Sequence, residues 1–217
     1  MPARLQGIDL SHHNAVTSSP LNAAFVIVRV SYGMSDGRVL PDVAADAHLE
    51  RFSIGHPRVL VGYHYLSTKP QAASGEEQAA FFLERMAKLE ARFGPMGRAL
   101  DSEPLRAKDE HGKPIPWDPV DHVRALAIGF VTVAATVARP CLAYGSREWW
   151  ARLGLDWKFA AHCPFWAASA PPPPAPWTEI AIQQWPSPVD GVDHNSFNGT
   201  ADELREVLGL PVLPSPS

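Results

Sequence analysis

Two carboxylates separated by one residue suggest acid–base chemistry near the middle of the chain. Segment 98–104 begins as a short apolar run, then holds Asp101 and Glu103, and ends in Pro104. In a β-strand, side chains at positions i and i+2 leave on the same face, with Cα atoms about 6.6 Å apart at a rise of roughly 3.3 Å per residue. Two carboxyl groups at that spacing cannot both ionise freely, so the pKa of one is expected to rise and that group becomes an acid usable at neutral pH. The simpler alternative is an edge strand that ends in a solvated acidic turn.

Other polar and aromatic residues fall at the ends of predicted strands, and they bear on this choice. Apolar and β-branched runs predict eight strands, at 6–10, 25–30, 59–65, 98–103, 141–144, 165–168, 180–185 and 192–195. The side chains at or near the strand ends are Asp9, Ser31, Tyr65, Asp101, Glu103, Tyr144, Trp166, Gln184, Trp185 and Asp193. In a barrel, the carboxyl ends of the strands open on one face, so these residues are expected to meet there. Carboxyl groups among aromatic rings suit a sugar cleft, because rings stack on apolar sugar faces while carboxyl groups cleave the glycosidic bond.

Helices are predicted between the early strands but not between the late ones. They are expected at about 41–54, after the capping box that begins at Ser74, at about 118–139, at 147–153, and after a second capping box at Thr200. The fold class is therefore α/β, an irregular TIM-like (β/α) barrel with helices missing between late strands. A single catalytic domain is expected over 1–210, with a disordered tail at 211–217. Segment 105–117 is interpreted as a long loop and 171–174 as a stiff extended connector.

The composition argues against several classes of function. The chain has 217 residues, a net charge of −4 and a pI near 6.1, and a nucleic-acid binder would instead show a basic stripe. No apolar run reaches the length of about 18 residues that a membrane-spanning helix needs. The first six residues lack the apolar segment of a signal peptide. We therefore expect no nucleic-acid partner, no membrane insertion and synthesis in the cytoplasm.

Several residues have competing interpretations that the sequence leaves open. Arg29 interrupts an apolar strand, so it serves either an acidic site or a structural ion pair. The histidines His12, His13 and His64 lack metal-site spacing and are expected to be polar barrel residues, with no metal and no cofactor. Trp149 and Trp150 are expected to pack in the core. Cys141 and Cys163 are expected to be free thiols, with a bridge between neighbouring strands as the alternative.

Five segments together carry a family resemblance: Gly7-Ile8-Asp9-Leu10-Ser11-His12-His13, Arg29-Val30-Ser31-Tyr32-Gly33, Gly62-Tyr63-His64-Tyr65, Leu100-Asp101-Ser102-Glu103 and Val192-Asp193-His194-Asn195-Ser196-Phe197-Asn198-Gly199. In this order, over roughly residues 7–208, they resemble glycoside hydrolase family 25, the phage- and fungal-type lysozymes (N-acetylmuramidases) that include endolysins. The opening motif and the Asp-x-Glu strand are fairly specific together, whereas either alone is weak. The resemblance implies an irregular barrel short of helices in its second half, in agreement with the pattern above.

The resemblance also implies roles for the site residues. Glu103 matches the general acid, and Asp101 would raise the pKa of Glu103 and steady the 2-acetamido group of the substrate. Such an acetamido group can itself attack the anomeric carbon. Asp9 and Asp193 match the two further acidic positions, which would stabilise oxocarbenium charge or position water. The resemblance implies substrate contacts for Arg29, Tyr63, Tyr144 and Trp185. With Tyr65 and Trp166, which are expected in the cleft from their strand-end positions, these are the expected substrate-binding residues.

The function implied is cleavage of the β-1,4 bond between N-acetylmuramic acid and N-acetylglucosamine in peptidoglycan, for phage-type host lysis or bacterial wall catabolism. The partner would be the glycan strand, and a monomer would reach it after signal-independent release, of the holin type or another. Pro104, the 105–117 loop and the proline run 171–174 depart from the family pattern and leave the shape of the cleft open. The alternatives are a glycosidase acting on another N-acetylated glycan and a non-catalytic glycan-binding barrel.

Overall fold

Nine strands form one sheet that closes on itself. The computed structural model describes residues 4–15, 22–54, 59–104, 118–134, 139–168, 172–185 and 191–212. Within these ranges the strands are β1 (Arg4–Leu10), β2 (Phe25–Gly33), β3 (Val39–Pro41), β4 (Val59–Tyr65), β5 (Gly97–Asp101), β6 (Cys141–Gly145), β7 (Phe165–Ala167), β8 (Ile182–Trp185) and β9 (Asp193–Asn198). The helices are α1 (Ala45–Ser53), α2 (Gly75–Phe93), α3 (Val120–Ala134), α4 (Arg147–Leu153), α5 (Trp157–His162) and α6 (Ala201–Val207).

Eight of these strands make the closed barrel, and β3 is a short hairpin arm on β2. The sheet order is β1-β9-β8-β7-β6-β5-β4-β2-β3, and pairing between β1 and β2 completes the ring. Seven barrel strands run parallel, but β9 is antiparallel to both of its neighbours. The α/β barrel predicted from the sequence is therefore confirmed, together with the lack of a described helix between β7 and β8.

The interior of the barrel changes from apolar to polar along the strands. Alternation points every second side chain inward, and the inward rows begin with residues such as Phe25, Val59 and Leu142. The apolar end of the barrel is filled by Leu204 of α6 and by Leu208 directly after it, which belong to the same interior cluster. At the other end the inward residues are polar or carry polar tips. The fold thus has one packed end and one chemically functional end.

An outer layer of helices covers the early strands. The buried faces of α1, α2, α3 and α4 pack with the outward residues of the barrel, including Val26, Val28 and Leu100. Trp149 and Trp150 are fully buried in this layer, as expected. Both cysteines are buried and unbridged. No described helix is long and apolar enough to cross a membrane.

The predicted helix ends agree with the structure where the local signal is strong. Ser74 and Thr200 both form capping boxes, with the glutamate three residues later closing each box. The first helix begins at Ala45 rather than at Pro41, because Pro41 ends the unpredicted strand β3. Helix α5 was also missed, although Asp156 caps it by accepting hydrogen bonds from two backbone amides. The predicted loop 105–117, the first residue of the proline run and most of the predicted disordered tail lie outside the described residues.

His64 links the barrel to the helical layer and makes stability depend on pH. Its ring is fully buried, hydrogen-bonded to Ser31 Oγ at 2.9 Å and Gln78 Oε1 at 3.0 Å, and stacked on Phe130. Burial lowers the pKa of His64 to about 4, whereas the unfolded chain protonates near 6.5. Acidification through this window therefore favours the unfolded state, by about 3 kcal/mol in total.

We expect the free energy of unfolding of the His64→Gln variant to fall less between pH 7 and pH 4 than that of the wild type. The variant lacks the proton-binding site, although it is less stable at pH 7 because the ring contacts are lost. Urea titrations at both pH values measure the difference. An equal acid-induced loss in both proteins would contradict this account of His64.

Candidate active site

One pocket at the polar end of the barrel collects the acidic residues found in the sequence. It has a volume of about 270 Å³ and is lined by Asp9, Asp101, Glu103 and Asp193, together with Ser11, His13, Asn14, Arg29, Tyr63, Tyr65, Tyr144, Trp166 and Gln184. Two larger cavities, of about 590 and 770 Å³, lie elsewhere on the surface and contain none of these four carboxylates. The chemistry points to the smaller pocket, because four carboxyl groups from the first, fifth and ninth strands and the end of β5 converge there among aromatic side chains.

The Asp101–Glu103 pair lies at the end of the fifth strand. Strand β5 ends at Asp101, so Glu103 lies two residues beyond it rather than inside the strand as predicted. The turn between them is fixed, because the amide of the buried Ser102 donates to the Tyr144 carbonyl at 3.2 Å and its hydroxyl accepts from Trp149 Nε1 at 3.1 Å. Both carboxyl groups therefore reach the pocket although only one of them is on the strand.

Burial decides the protonation of this pair. Asp101 is buried, and its Oδ1 has no hydrogen-bond partner among the described residues. Burial first, and the nearby charges of Glu103 and Asp9 next, raise the pKa of Asp101 well above its usual value, with Arg29 opposing them. Because neighbouring carboxyl groups titrate together, the pair retains a proton at pH values where an exposed aspartate is fully ionised. A retained proton is what a general acid requires.

Asp9 and Asp193 form the second acidic pair, on the neighbouring strands β1 and β9. They are directly paired residues of antiparallel β1 and β9. Asp193 was expected at a strand end, but it begins β9. It still reaches the pocket because β9 runs in the opposite direction to its neighbours, so its first residue is at the polar end.

Two amide side chains hold Asp9 in place. Its Oδ2 accepts hydrogen bonds from Gln184 Nε2 at 2.9 Å and from Asn195 Nδ2 at 2.7 Å. Each amide is oriented in turn, since Tyr144 Oη donates to Gln184 Oε1 at 2.7 Å and Trp166 Nε1 donates to Asn195 Oδ1 at 2.8 Å. With both amide oxygens occupied by donors, neither amide can flip without losing two hydrogen bonds.

The pKa of Asp9 lies in the neutral range as a result of opposing effects. Burial raises the pKa to about 7, and the charges of Asp193 and Glu103 add to the rise, whereas the hydrogen bonds from Gln184 and Asn195 lower it. The pKa of Asp193 is also raised, mainly by burial. Asp9 therefore changes its charge close to neutral pH, as expected for a group with a chemical role.

Aromatic rings form the walls of the pocket. Trp166 lies 4.3 Å from Tyr144 and 6.1 Å, edge-on, from Tyr63, measured between ring centres. Burial raises the pKa of Tyr63, Tyr65 and Tyr144, so these phenols stay neutral. As neutral phenols, Tyr63 and Tyr65 can donate hydrogen bonds to sugar hydroxyls, whereas Tyr144 already donates its proton to Gln184.

Arg29 fulfils both of the interpretations that the sequence left open. Its Nε donates to the fully buried Asp42 carboxylate at 2.7 Å, and its Nη2 contacts His12. It also lines the pocket and opposes the rise in the pKa of Asp101. A register shift in β2 immediately after Arg29 makes a bulge at this point, a feature common beside active sites. The described residues contain no group of three or more acidic, histidine or cysteine side chains suited to a metal ion.

The structure does not bring Ser31 or Trp185 to the pocket, although both were expected there. Ser31 is buried, and its hydroxyl is instead hydrogen-bonded to the His64 ring at 2.9 Å. Alternation along β8 turns Gln184 inward and Trp185 outward, and its indole nitrogen donates to Ser196 Oγ on the outer face at 3.3 Å. Conversely, Asn195 was missed. It lies two residues after Asp193 on the same strand face, the spacing that singled out Asp101 and Glu103.

Gly145 keeps space for the turn that carries Glu103. Its φ is 155°, and a Cβ placed there would lie 2.6 Å from the Ser102 carbonyl oxygen and 2.7 Å from Trp150 Nε1. We expect Gly145→Ala to lower stability by about 1–3 kcal/mol and to reduce activity further by displacing the turn. Thermal unfolding and kcat at a temperature where the variant stays folded measure the two effects. Unchanged activity would show that the position of the turn does not matter.

Comparison with known proteins identifies the family. The family model for glycosyl hydrolases family 25 matches residues 8–192, which covers most of the chain. The chain belongs to this family. A comparison with curated protein sequences found no significant match. As a family 25 member, the protein is a glycoside hydrolase, and the resemblance noted in the sequence is confirmed.

Solved structures of family 25 type share the fold of this chain. A family 25 glycosyl hydrolase from Bacillus anthracis superposes with a TM-score of 0.66 at 14% identity, over 94% of this chain and 93% of that one. The spore cortex lytic enzyme SleM of Clostridium perfringens superposes with a TM-score of 0.64 at 19% identity, over 93% of this chain and 69% of that one. At these identities the similarity concerns the family 25 barrel itself.

Proposed function

We propose that this family 25 enzyme is a peptidoglycan muramidase, which hydrolyses the β-1,4 bond between N-acetylmuramic acid and N-acetylglucosamine. The observation that carries the proposal is the convergence of Asp9, Asp101, Glu103 and Asp193 on one aromatic-walled pocket. Paired carboxyl groups are the usual catalytic equipment of glycosidases. The biological setting would be phage-type lysis of a host wall or catabolism of a bacterial wall, with a monomer acting on the glycan strands.

In this proposal the Asp101–Glu103 pair supplies the proton. Glu103 is half-buried and reaches the pocket, so it can donate a proton to the oxygen of the leaving sugar. Asp101 lines the same pocket and is placed to hydrogen-bond the 2-acetamido group. Held in that way, the acetamido oxygen can attack the anomeric carbon as the glycosidic bond breaks.

The second pair would act on the positive charge and on the water. Asp9 and Asp193 face the pocket from the seam between β1 and β9. An ionised Asp9 stabilises the oxocarbenium character of the transition state, because opposite charges attract strongly in a site shielded from water. Asp193, the more exposed of the two, can orient the water that completes hydrolysis.

A wall substrate is supported by the carboxyl groups and aromatic lining of the pocket and by one of the structural relatives. The name of SleM describes an enzyme that lyses spore cortex. The pocket offers carboxyl groups for an amide and an aromatic lining beside the sugar. N-acetylated sugars carry both features, so a peptidoglycan strand fits better than an unsubstituted glucan.

Analysis of the products of digestion tests the proposal. Purified peptidoglycan is digested, reduced with borohydride and separated by mass spectrometry, with a Glu103→Gln digest as the blank. We expect muropeptides that end in reduced N-acetylmuramic acid. Reduced N-acetylglucosamine ends would assign the other glycosidic bond. Cleavage of chitin oligosaccharides without release of muropeptides would assign another N-acetylated glycan. Binding to the wall without release of muropeptides would indicate a non-catalytic glycan-binding barrel.

A further inference from the structure

The outer face of β8, β9 and β1 differs from the rest of the barrel surface. No described helix covers the link from β7 to β8, and the outward-facing residues of these strands are mostly polar. A depression of about 270 Å³ lies on this face, as large as the catalytic pocket. Its polar lining consists of Arg4, Thr178, Glu179, Gln183, Ser196 and Asn198. This face therefore has a depression lined by polar groups, which distinguishes it from a flat, solvated sheet face.

Trp185 is exposed beside this depression and is held in position. Its exposed fraction is 41%, which is unusual for a tryptophan. Its indole nitrogen donates to Ser196 Oγ at 3.3 Å, and Arg4 Nη2 donates to the same oxygen at 2.8 Å. The Arg4 guanidinium carbon lies 5.8 Å from the ring centre. A ring anchored in this way loses little conformational entropy when a ligand stacks on it.

We propose that the Trp185 surface, formed by Arg4, Gln183, Trp185, Ser196 and Asn198, is a second glycan-binding site for strands of N-acetylated sugars. The proposal rests on the proposed function, and it adds a site outside the catalytic pocket. The site would hold the polymer while the pocket cuts it, which raises the local concentration of cleavable bonds.

The chemistry of the surface selects a glycan over other partners. One ring offers a stacking face for a sugar, and the exposed Arg4 guanidinium and Asn198 amide offer donors and an acceptor for sugar hydroxyl and acetamido groups. A stable protein interface needs about 800 Å² from each partner, with several apolar residues at its centre. One exposed ring and one arginine, in a chain of net charge −4, suit neither such an interface nor a nucleic acid.

The two sites lie on opposite sides of one strand. Gln184 lines the catalytic pocket, and the next residue, Trp185, belongs to the outer surface. A long glycan that leaves the pocket over the end of β8 would therefore reach the Trp185 surface, whereas a short oligosaccharide would fill the pocket alone. The proposed site thus predicts different effects on polymeric and on soluble substrates.

Binding to insoluble peptidoglycan, measured by depletion in the Glu103→Gln background, tests the site. We expect Trp185→Ala to weaken binding about tenfold, equivalent to roughly 1.4 kcal/mol, and Arg4→Ala to weaken it severalfold. Trp157→Ala is the matched control, because Trp157 is also exposed (68%) but lies at the start of α5. In the active enzyme, Trp185→Ala should lower kcat/KM on insoluble peptidoglycan more than on a soluble tetrasaccharide.

Each other outcome overturns the proposal in a recognisable way. Equal binding by the Trp185→Ala and Trp157→Ala variants would show that there is no second site at Trp185. Equal losses of kcat/KM on the polymer and on the tetrasaccharide would show that Trp185 belongs to the catalytic cleft. If Arg4→Ala is the only variant that loses binding, and if salt suppresses binding of the parent protein, the surface is attracted to anionic wall polymers instead. If the parent enzyme releases no muropeptides, the proposed function itself fails, which the hydrolysis assay reports separately from binding.

Discussion

Replacing Glu103 by glutamine is expected to lower kcat on peptidoglycan by about 10²- to 10⁴-fold, the usual contribution of a general acid. Glutamine has nearly the same shape and can still hydrogen-bond to the glycosidic oxygen, but it has no proton to transfer. Because Glu103 lies beyond the end of β5 in a half-buried position, the fold should tolerate the change. Release of soluble muropeptides and the melting temperature measure activity and folding on the same sample.

Glu84→Gln provides the matched control for this experiment. Glu84 is an exposed residue of α2 that pairs with Lys88 at 2.6 Å. Because an exposed ion pair contributes little to stability, its loss should leave the melting temperature and kcat close to those of the wild type. A Glu103→Gln enzyme as active as this control would show that the proton comes from another group. Asp101, with its raised pKa, would then be the first residue to examine.

The Asp9→Asn variant is expected to lose kcat by about 10²- to 10³-fold, the typical effect of removing one preorganised electrostatic group. The loss should have a signature in the pH profile. Burial raises the pKa of Asp9 to about 7, so the ionised form that stabilises positive charge appears only as the pH rises through that value. The rising limb of kcat/KM near pH 7 should therefore disappear in the variant.

The Asn195→Ala variant tests the same rising limb of the pH profile by changing the pKa of Asp9 instead of removing its carboxyl group. The hydrogen bond from Asn195 lowers the pKa of Asp9, so removing it should shift the rising limb to higher pH without abolishing it. Asp121→Asn, at an exposed carboxylate on α3, is the control and should reproduce the wild-type profile. An unchanged limb in both Asp9→Asn and Asn195→Ala would exclude Asp9 as the titrating group.

Much of the fold could be predicted because the local signals agree with the tertiary structure. The strand from Val59 to Tyr65 and the two capping boxes agree with the structure residue by residue. The direction of β9 could not be predicted, because the side-chain pattern of a strand is the same in both directions. That direction decides which end of β9 meets the pocket, and it brings Asp193 there at the start of the strand.

The site was predicted in outline, and its supporting contacts were not. Strand ends identified the carboxylates, but the strand-end position and the family resemblance also assigned Trp185 to the cleft, whereas the structure places only its neighbour Gln184 there. A one-residue difference on a strand exchanges inside for outside. The amide pair that holds Asp9 depends on contacts between residues 186 positions apart, Asn195 and Asp9, and no local pattern reports such contacts.

A crystal structure of the Glu103→Gln variant with a bound peptidoglycan tetrasaccharide tests the central claim most directly. The account predicts a glycosidic oxygen at about 3 Å from the side-chain amide at position 103, a typical hydrogen-bond distance. It also predicts that the 2-acetamido group of the N-acetylmuramic acid on the non-reducing side of that oxygen contacts Asp101, and that this sugar ring lies between the two acidic pairs. A saccharide bound with its glycosidic oxygens away from both pairs would contradict it.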